Sequence, residues 1–314
     1  MMKPDVLIVG KMMPHVMEAL EAAYTTHKLY EAEDREAFLA EVGGRIRGIA
    51  TSGHLGATPA MMDACPNLEI ISCYGVGVDA IDLGHAAAKG VIVTNTPDVL
   101  NDDVANTAIM LLLASTRKLV AYDKYVRQGR WVGEGDPPLT QAIADQQIGI
   151  VGIGRIGQAI AEKLAVFGCR IAYHARNERP ELPHAYYPDL VEMARDSLAL
   201  IVITPGGAAT RHLISRDVMD ALGPDGHLVN VARGSVVDED ALVAALGEGT
   251  LGFAGLDVFA NEPNVPGALL AMDNVVLQPH QGSATTRTRR AMGDLVVDNL
   301  AAHFAGKPAL TPVG

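Results

Sequence analysis

Residues 148–157 read IGIVGIGRIG, and the order of apolar residues and glycines in this stretch predicts the fold around it. The apolar run at 148–151 is typical of a short strand that is buried on both faces. Apolar residues then recur at helical spacing over 156–167, and Gly168 provides a stop. A strand joined to a helix by a short glycine turn is the repeating unit of parallel α/β sheets.

The three glycines of this turn have different physical roles. Gly152 permits the tight turn after the strand, Gly154 lets a ligand approach the backbone, and Gly157 lets the helix pack closely on the strand. Amides near Arg155 and Ile156 lie at the positive end of the helix, where phosphate groups bind. In this context the turn predicts a dinucleotide site, and a turn that binds no ligand is the less favoured alternative.

The residues after the next apolar run predict which dinucleotide binds. Residues 173–177 read YHARN, and the first acid after them is Glu178. Sites for NAD usually place a carboxylate here to bind the ribose 2′-hydroxyl. Ala175 removes the carboxylate that would repel a 2′-phosphate, and Arg176, followed by Asn177, offers a cationic fork that would bind one. The sequence therefore favours NADP(H), with NAD(H) possible, and a solvated arginine on a surface turn is the alternative.

Apolar runs alternate with helical patterns along the whole chain, which predicts parallel sheets covered by helices. The first hundred residues contain four candidate strands, at 6–9, 48–51, 69–72 and 91–94. Six more begin with the strand before the glycine turn, at 147–153, 170–173, 199–203, 227–231, 252–257 and 274–278. The predicted fold class is α/β, with two doubly wound parallel-sheet domains, in which a Rossmann dinucleotide-binding domain is inserted in a smaller flavodoxin-like domain.

The chain is expected to cross between these domains twice. Pro97 disfavours a helix in the residue before it, which puts the first crossing near residue 98. A last helix, at about 286–304, follows the sixth strand of the second series and would return to the first domain. The predicted domains are therefore 1–98 with 286–314, which would bind substrate, and 99–285, which would bind the dinucleotide.

Composition excludes several classes of partner. The 314-residue chain has a formal charge of −12, whereas nucleic acids and anionic membrane surfaces bind basic fields. Three cysteines lie far apart and match no metal or disulfide framework, so no metal is predicted and a reducing compartment is favoured. No apolar stretch approaches the roughly 18 residues of a membrane helix, and the one near the N-terminus is too short for a signal peptide. A cytoplasmic protein is expected.

Residues 101–118 predict a helix that is apolar on nearly every face. Asn101 is a suitable N-cap, and Arg117 near the other end suits the helix dipole. The run at 108–114 is wholly apolar, so the helix must be buried on all sides. Packing against a second subunit would bury it, and we therefore expect a homodimer. A helix buried deep within its own domain is the alternative.

Three polar residues, Arg233, Glu262 and His280, follow the last three candidate strands, at the sheet edge where such folds bind ligands. Reduction of a 2-oxo acid needs a cation for the carboxylate, a proton donor for the carbonyl oxygen, and a hydride. Arg233 suits the first role because its fork can bridge carboxylate and carbonyl. His280 suits the second because imidazole exchanges a proton near neutral pH, and Glu262 would hold the ring in place. Each residue alone is more often structural, but the three together favour catalysis.

Six motifs resemble those of the D-isomer-specific 2-hydroxyacid dehydrogenases, and they extend over essentially the full length of the chain. They are YGVGVD at 74–79, NTPDVL at 95–100, the glycine turn, NVARGS at 230–235, GLDVF at 255–259 with NEP at 261–263, and PHQGS at 279–283. The resemblance implies that Arg233, Glu262 and His280 are the catalytic residues.

The resemblance also implies how substrate and cofactor are held. Backbone amides of Val76 and Gly77 would bind the substrate carboxylate, beside Arg233 and His280. Asp257 would hold the nicotinamide carboxamide. The residues that would line the cofactor are Val99, Thr204 and Pro205.

Within the family, the sequence most resembles NADPH-dependent hydroxypyruvate/glyoxylate reductases and hydroxyphenylpyruvate reductases. The predicted function is NADPH-dependent reduction of a small 2-oxo acid of the glyoxylate/hydroxypyruvate class to the D-2-hydroxy acid, with His280 as proton donor. The alternatives are a hydroxyphenylpyruvate-type reductase, an NAD-dependent phosphoglycerate-like dehydrogenase, and a non-enzymatic dinucleotide-sensing protein like the corepressors of this fold. Glu262 argues against formate dehydrogenases, which carry glutamine there. Asn106 departs from the acid common in relatives, and its effect is open.

Overall fold

The computed structural model describes residues 3–313. These residues form two compact units. The first unit contains residues 3–100 and 285–313, and the second unit contains residues 101–284. The chain thus crosses between the units two residues after the first predicted crossing and one residue before the second. The part that each unit plays in binding stays a prediction.

The first unit is built on a parallel sheet of five strands in the order β2-β1-β3-β4-β5. Its elements in chain order are β1 (Asp5–Ile8), α1 (Pro14–Ala23), β2 (Thr25–Lys28), α2 (Arg35–Val42), β3 (Ile46–Ser52), α3 (Pro59–Asp63), β4 (Ile70–Tyr74), α4 (Leu83–Ala88) and β5 (Ile92–Thr94). This strand order is the flavodoxin-like one, so the fold class predicted for the smaller domain is confirmed.

Strand β2 is the element of this sheet that the sequence does not predict. Its four residues read TTHK and include no large apolar side chain. It lies at the edge of the sheet and pairs only with β1, whose residues Val6, Leu7 and Ile8 are fully buried. Backbone pairing with a buried neighbour therefore holds β2 in place, and that pairing leaves no mark in hydropathy.

The second unit is built on a parallel sheet of seven strands in the order β12-β11-β10-β9-β6-β7-β8. Its elements are α5 (Asn101–Thr116), α6 (Leu119–Arg127), α7 (Arg130–Glu134), β6 (Gln147–Val151), α8 (Arg155–Val166), β7 (Arg170–His174), β8 (Ala185–Tyr186), α9 (Leu190–Arg195), β9 (Ala199–Val202), α10 (Arg216–Leu222), β10 (His227–Asn230), α11 (Glu239–Glu248), β11 (Phe253–Leu256), α12 (Gly267–Ala271) and β12 (Val275–Leu277).

This second sheet has the Rossmann order, so the predicted fold class is confirmed here too. The six predicted strands are present, and the two-residue edge strand β8 is added to them. Strand order reverses between the neighbours β6 and β9. The glycine turn follows β6, at the switch point where doubly wound sheets bind ligands.

The last helix, α13 (Thr286–Phe304), returns to the first unit as predicted. The Thr285 hydroxyl accepts a hydrogen bond from Thr288 N and caps its first turn. The helix packs on β4 and α1. Ser72 in β4 donates from Oγ to the carbonyl of Val296 at 3.2 Å, which ties the helix to the sheet.

Helix α5 is buried by its own unit. Nine of its 16 residues are buried, and it contacts α8, β10, β11 and β12. A Cβ placed on Gly255 would lie only 3.0 Å from the Cβ of Leu111, so the helix lies directly on β11. Its own unit therefore buries most of the apolar residues of α5, which fits the alternative of a helix buried within its domain, and a homodimer stays a prediction. No single described helix could span a membrane; α5 and α6 pass the test of length and hydropathy only as a pair bent by 57°.

Candidate cofactor site and catalytic residues

The backbone of the glycine turn leaves no room for side chains at two of its three glycines. Gly152 has a φ of 102°, and a Cβ there would lie 2.8 Å from the backbone nitrogen of Thr204. A Cβ on Gly157 would lie 2.2 Å from the carbonyl oxygen of Gly152. A Cβ on Gly154 would instead meet no heavy atom within 4 Å. The turn is therefore closed toward the protein and open at Gly154, which fits the close approach of a pyrophosphate.

Helix α8 begins at this turn, and no side chain caps its first amides. Gly154 is its N-cap and has no side chain to accept from the first amides. Arg155 and Ile156 are the first two residues of the helix. The amides at such an end carry partial positive charge and suit an anionic ligand. The phosphate-binding role predicted for these residues is therefore physically reasonable and stays a prediction.

Seven of the predicted cofactor residues border one cavity of about 670 Å³ in the second unit. They are Gly152, Gly154, Ala175, Arg176, Asn177, Thr204 and Pro205. Arg155, Ile156 and Gly157 lie in the first turn of α8 instead. The volume is within the range of cofactor pockets. The donor amides, glycines and arginine present there fit a phosphorylated dinucleotide.

Sequence reasoning missed Arg179, which also lines this cavity. Its backbone is held by the buried Tyr173, whose hydroxyl accepts from Arg179 N at 2.8 Å and donates to Arg179 O at 3.3 Å. This anchor shapes the loop that carries Arg176. Arg179 Nε lies 3.3 Å from a carboxylate oxygen of Glu181, in an exposed ion pair. A second arginine three residues after Arg176 was the sequence signal for it.

His280 and Glu262 form a hydrogen-bonded pair at the carboxyl edge of the second sheet. Nδ1 of His280 lies 2.9 Å from Oε2 of Glu262, and Phe259 N donates to Oε1 of Glu262 at 3.0 Å. The backbone of His280 is left-handed, with φ 54°, and its amide donates to the carbonyl of Asp257 at 2.8 Å. Both side chains are about a quarter exposed. Because Glu262 engages Nδ1, Nε2 is the nitrogen that can exchange a proton with a substrate.

The turn that carries Arg233 is fixed by the Asn230 side chain. Asn230 Oδ1 accepts from Ala232 N at 3.1 Å, and its Nδ2 donates to Arg233 O at 3.0 Å. Nη1 of Arg233 donates to the carbonyl of Ala232 at 2.7 Å. A Cβ on Gly234 would lie 1.9 Å from the carbonyl carbon of Phe259. The turn after β10 therefore packs directly on the segment after β11 that leads to the histidine–glutamate pair.

Asp257 is buried beneath the loop that follows His280. Its Oδ1 accepts from Gln281 N at 2.6 Å and its Oδ2 accepts from Gly282 N at 2.9 Å. Burial raises the pKa of this carboxyl, and the two amide donors act against that rise. Asp257 thus holds the loop after His280. The role predicted for it at the nicotinamide carboxamide stays a prediction.

Val76 and Gly77 follow β4 in the first unit. Hydrogen bonds to the carbonyl oxygens of Gly75 and Val76 hold the turn in place. Asn95 Nδ2 donates to the carbonyl of Val76 at 2.9 Å. Thr96 accepts from Gly75 N through Oγ1 at 3.1 Å and donates from its own amide to Gly75 O at 2.9 Å. Within residues 3–313, the amides of Val76 and Gly77 donate to no protein acceptor. They can therefore bind an anionic ligand.

Comparison with known proteins gives consistent matches. Residues 109–282 match the family model described as D-isomer specific 2-hydroxyacid dehydrogenase, NAD binding domain. The chain is 47% identical over 308 residues to a hydroxyphenylpyruvate reductase of Plectranthus scutellarioides, with 98% of both chains covered. It is 45% identical over 311 residues to a 2-ketogluconate reductase of Gluconobacter oxydans, with 99% of both covered.

A solved structure with the same fold is similarly close. The NADPH-dependent glyoxylate/hydroxypyruvate reductase of Sinorhizobium meliloti, in complex with NADP and malonate, aligns with a TM-score of 0.91 and 49% identity. The match covers 99% of this chain and 97% of that one. The resemblance read from the sequence motifs is confirmed, and these matches give no support to the corepressor-like alternative. The chain belongs to the D-isomer specific 2-hydroxyacid dehydrogenase family and is an oxidoreductase.

Proposed function

We propose that this protein is an NADPH-dependent reductase that converts a small 2-oxo acid of the glyoxylate/hydroxypyruvate class into the D-2-hydroxy acid. The observation that carries the proposal is the pair of His280 and Glu262, 2.9 Å apart on the same sheet edge as the glycine turn. Carbonyl reduction needs a proton for the oxygen as well as a hydride for the carbon, and an imidazole held by a carboxylate can deliver that proton. The Sinorhizobium reductase, which supports the cofactor and substrate class, shares the fold.

The residues divide the reaction between them. NADPH, when bound at the glycine turn, supplies the hydride to the carbonyl carbon. The Arg233 guanidinium pairs with the substrate carboxylate and polarises the carbonyl, and the amides of Val76 and Gly77 also bind the carboxylate. His280 gives a proton from Nε2 to the carbonyl oxygen, which becomes the hydroxyl of the product. Glu262 keeps the imidazole oriented while this happens.

The preference for NADP(H) over NAD(H) rests on the cavity wall formed by Ala175, Arg176 and Asn177, which carries no acid. Replacing Arg176 with Ala should raise KM for NADPH by about tenfold or more, because a charge-assisted hydrogen bond to the 2′-phosphate is lost. KM for NADH should change little. Arg195→Ala, an exposed arginine in α9 away from the cavity, is the matched control. Equal changes for both cofactors would refute the 2′-phosphate role.

The substrate class is tested with a panel of 2-oxo acids. Glyoxylate, hydroxypyruvate, pyruvate, phenylpyruvate and hydroxyphenylpyruvate are each assayed with NADPH and with NADH. The proposal expects the highest kcat/KM for glyoxylate or hydroxypyruvate with NADPH. A clear preference for hydroxyphenylpyruvate would favour that reductase class, which the Plectranthus relative represents. A preference for NADH would favour a phosphoglycerate-like enzyme. Tight NADPH binding without turnover of any acid would contradict the proposal.

A homodimer is part of the proposal, with a different basis from helix α5. Val132 and Leu139 are 97% and 96% exposed, and Trp131 is 56% exposed, all within the second unit. Exposed apolar residues grouped along a segment are typical of protein interfaces. Light scattering at micromolar concentration should give twice the mass of the 33.1 kDa chain, and a monomer would contradict the dimer. A cytoplasmic location stays a prediction.

A further inference from the structure

A cavity of about 320 Å³ lies at the carboxyl edge of the first unit's sheet. Its walls come from the residues that follow β1, from the ends of β3 and β4, and from the first turn of α13. They include Lys11, Met12, Ser52, Leu55, Tyr74 and Arg289. Parallel α/β sheets bind their ligands at this edge. The roles proposed above use none of these residues.

Lys11 and Arg289 bring two positive charges to the cavity, and no acidic side chain lines it. In the described part of the chain neither of the two forms an ion pair with a carboxylate. Ammonium and guanidinium groups donate hydrogen bonds and accept none. The polar end of the cavity therefore suits a ligand group that carries accepting oxygens.

Tyr74 holds Arg289 in the wall of the cavity. Its hydroxyl donates to the carbonyl oxygen of Arg289 at 2.8 Å. The guanidinium carbon of Arg289 lies 5.8 Å from the centre of the Tyr74 ring, within the range of a cation–π contact. The ring, Met12 and Leu55 give the rest of the cavity an apolar surface. The cavity thus combines apolar walls for a carbon chain with two cations for a polar end.

The cavity adjoins the amides proposed to bind the substrate carboxylate. Tyr74 lines the cavity, and Val76 is only two residues further along the chain. Two residues span at most about 7 Å even when fully extended. A 2-oxo acid whose carboxylate binds to the amides of Val76 and Gly77 can therefore extend its other end into the cavity.

We propose that this cavity is the subsite for the tail of the 2-oxo acid, and that Arg289 and Lys11 select tails that end in hydrogen-bond-accepting oxygens. The inference rests on the proposed function. Glyoxylate has no tail carbon and would leave the cavity to water. A distal carboxylate, the hydroxyls of a sugar acid or a phenolic oxygen share the accepting chemistry. A distal carboxylate should bind most tightly, because its negative charge pairs with the positive charges of Arg289 and Lys11.

The test measures kcat/KM with NADPH for three pairs of 2-oxo acids that are matched in size. The pairs are 2-oxoglutarate with 2-oxopentanoate, 2-ketogluconate with 2-oxohexanoate, and hydroxyphenylpyruvate with phenylpyruvate. In the wild-type protein, at least one accepting acid should exceed its apolar partner. Arg289→Met should reduce that ratio by about tenfold or more, because the apolar tail remains accommodated while the charge-assisted contact is lost. The pair with the largest change identifies the tail.

Three further variants separate charge from structure. Arg289→Lys should keep part of the ratio, and Lys11→Met should reduce it in the same direction. Arg290→Met, an exposed neighbour that does not line the cavity, is the matched control and should leave every ratio unchanged. Equal losses for both members of every pair in Arg289→Met would overturn the subsite while leaving the proposed function intact. A wild-type protein that reduces no 2-oxo acid would overturn the proposed function itself.

Discussion

The two units build the carboxyl edges of their sheets by different means, and two glycines make the contrast clear. In the second unit, a Cβ on Gly157 would lie 2.2 Å from the backbone oxygen of Gly152. In the first unit, a Cβ on Gly10 would also lie 2.2 Å from its nearest atom, which is Cδ1 of Leu55. Backbone cannot move aside without disturbing the turn, whereas the Leu55 side chain is 45% exposed and can change rotamer. The same distance therefore means a fixed edge in one unit and an adaptable edge in the other.

This difference matches the ligands proposed for the two edges. The phosphates of a dinucleotide are the same in every turnover, so backbone amides and glycines can be shaped to them permanently. The tail of a 2-oxo acid varies from one compound to another. Long side chains such as Met12, Leu55 and Arg289 can adjust to that variation. The comparison predicts that small changes at the second unit's edge have large effects and that similar changes at the first unit's edge have small ones.

The largest effect is expected for His280→Gln, which removes the proposed proton donor. We expect kcat to fall by about 10²- to 10⁴-fold with little change in NADPH affinity, measured by steady-state kinetics and fluorescence titration. The first unit offers a matched control, because His303 Nε2 lies 2.9 Å from Glu69 Oε2. That pair lies at the opposite, amino edge of its sheet, where Glu69 precedes β4. His303→Gln should leave kcat nearly unchanged, and a loss as large as that of His280→Gln would contradict the proton-donor role of His280.

The second effect is a loss of folding stability at low pH. Burial, with a smaller contribution from the Lys118 ammonium, lowers the pKa of His227 from 6.5 to about 4. As the pH falls from 6.5 toward 4, the unfolded chain binds a proton here that the folded chain does not, so stability is lost over this range. The loss should reach about 3 kcal/mol near pH 4. The described residues of the first unit contain no fully buried imidazole, so this weakening belongs to the second unit.

The stability of the second unit at each pH can be measured by urea unfolding followed by Trp131 fluorescence. Trp131 is the one tryptophan of the chain and lies in that unit. His227→Phe should be less stable than the wild type at pH 7, since the hydrogen bonds from the ring to Ser115 and Gln141 are lost. The difference between the two proteins should shrink as the pH falls to 4. A difference that stays constant with pH would contradict the assigned shift.

The third effect is expected for Gly157→Ala. The added methyl group meets the backbone oxygen of Gly152 at 2.2 Å and must push α8 away from the turn. Overpacking of this kind costs about 1 to 3 kcal/mol. We expect a loss of that size in the free energy of unfolding, measured by circular dichroism, and weaker NADPH binding in calorimetry. Normal NADPH affinity in this variant would mean that the turn is not the cofactor site.

The smallest effect is expected for Gly10→Ala, the counterpart of that change in the first unit. The methyl group meets only the tip of Leu55, which can rotate into solvent. The free energy of unfolding should change by less than about 0.5 kcal/mol, and NADPH affinity should not change. A loss as large as that of Gly157→Ala would remove the distinction between a fixed and an adaptable edge.

Much of the fold could be predicted because parallel strands buried on both faces leave continuous apolar runs. The ten predicted strands correspond to such runs and are present, and the helix predicted at 286–304 is present as well. Strands β2 and β8 were missed because both lie at sheet edges, where pairing with one buried neighbour replaces side-chain burial. Helix α5 was predicted, but its surroundings were not. An apolar helix must be buried, and hydropathy does not say by which partner.

Some features of the candidate site could likewise be predicted from the sequence, and others could not. Sequence alone determined the glycine turn, the absence of an acid within residues 173–177, and the pairing of His280 with Glu262. Each of these depends on local sequence or backbone geometry, or on the common edge of a parallel sheet. Arg179 had a sequence signal in its nearness to Arg176, whereas tertiary structure alone brought Lys11, Tyr74 and Arg289 together at the other cavity. Lys11, Tyr74 and Arg289 are far apart in the chain and belong to different segments. Their proximity follows from packing, which no local pattern encodes.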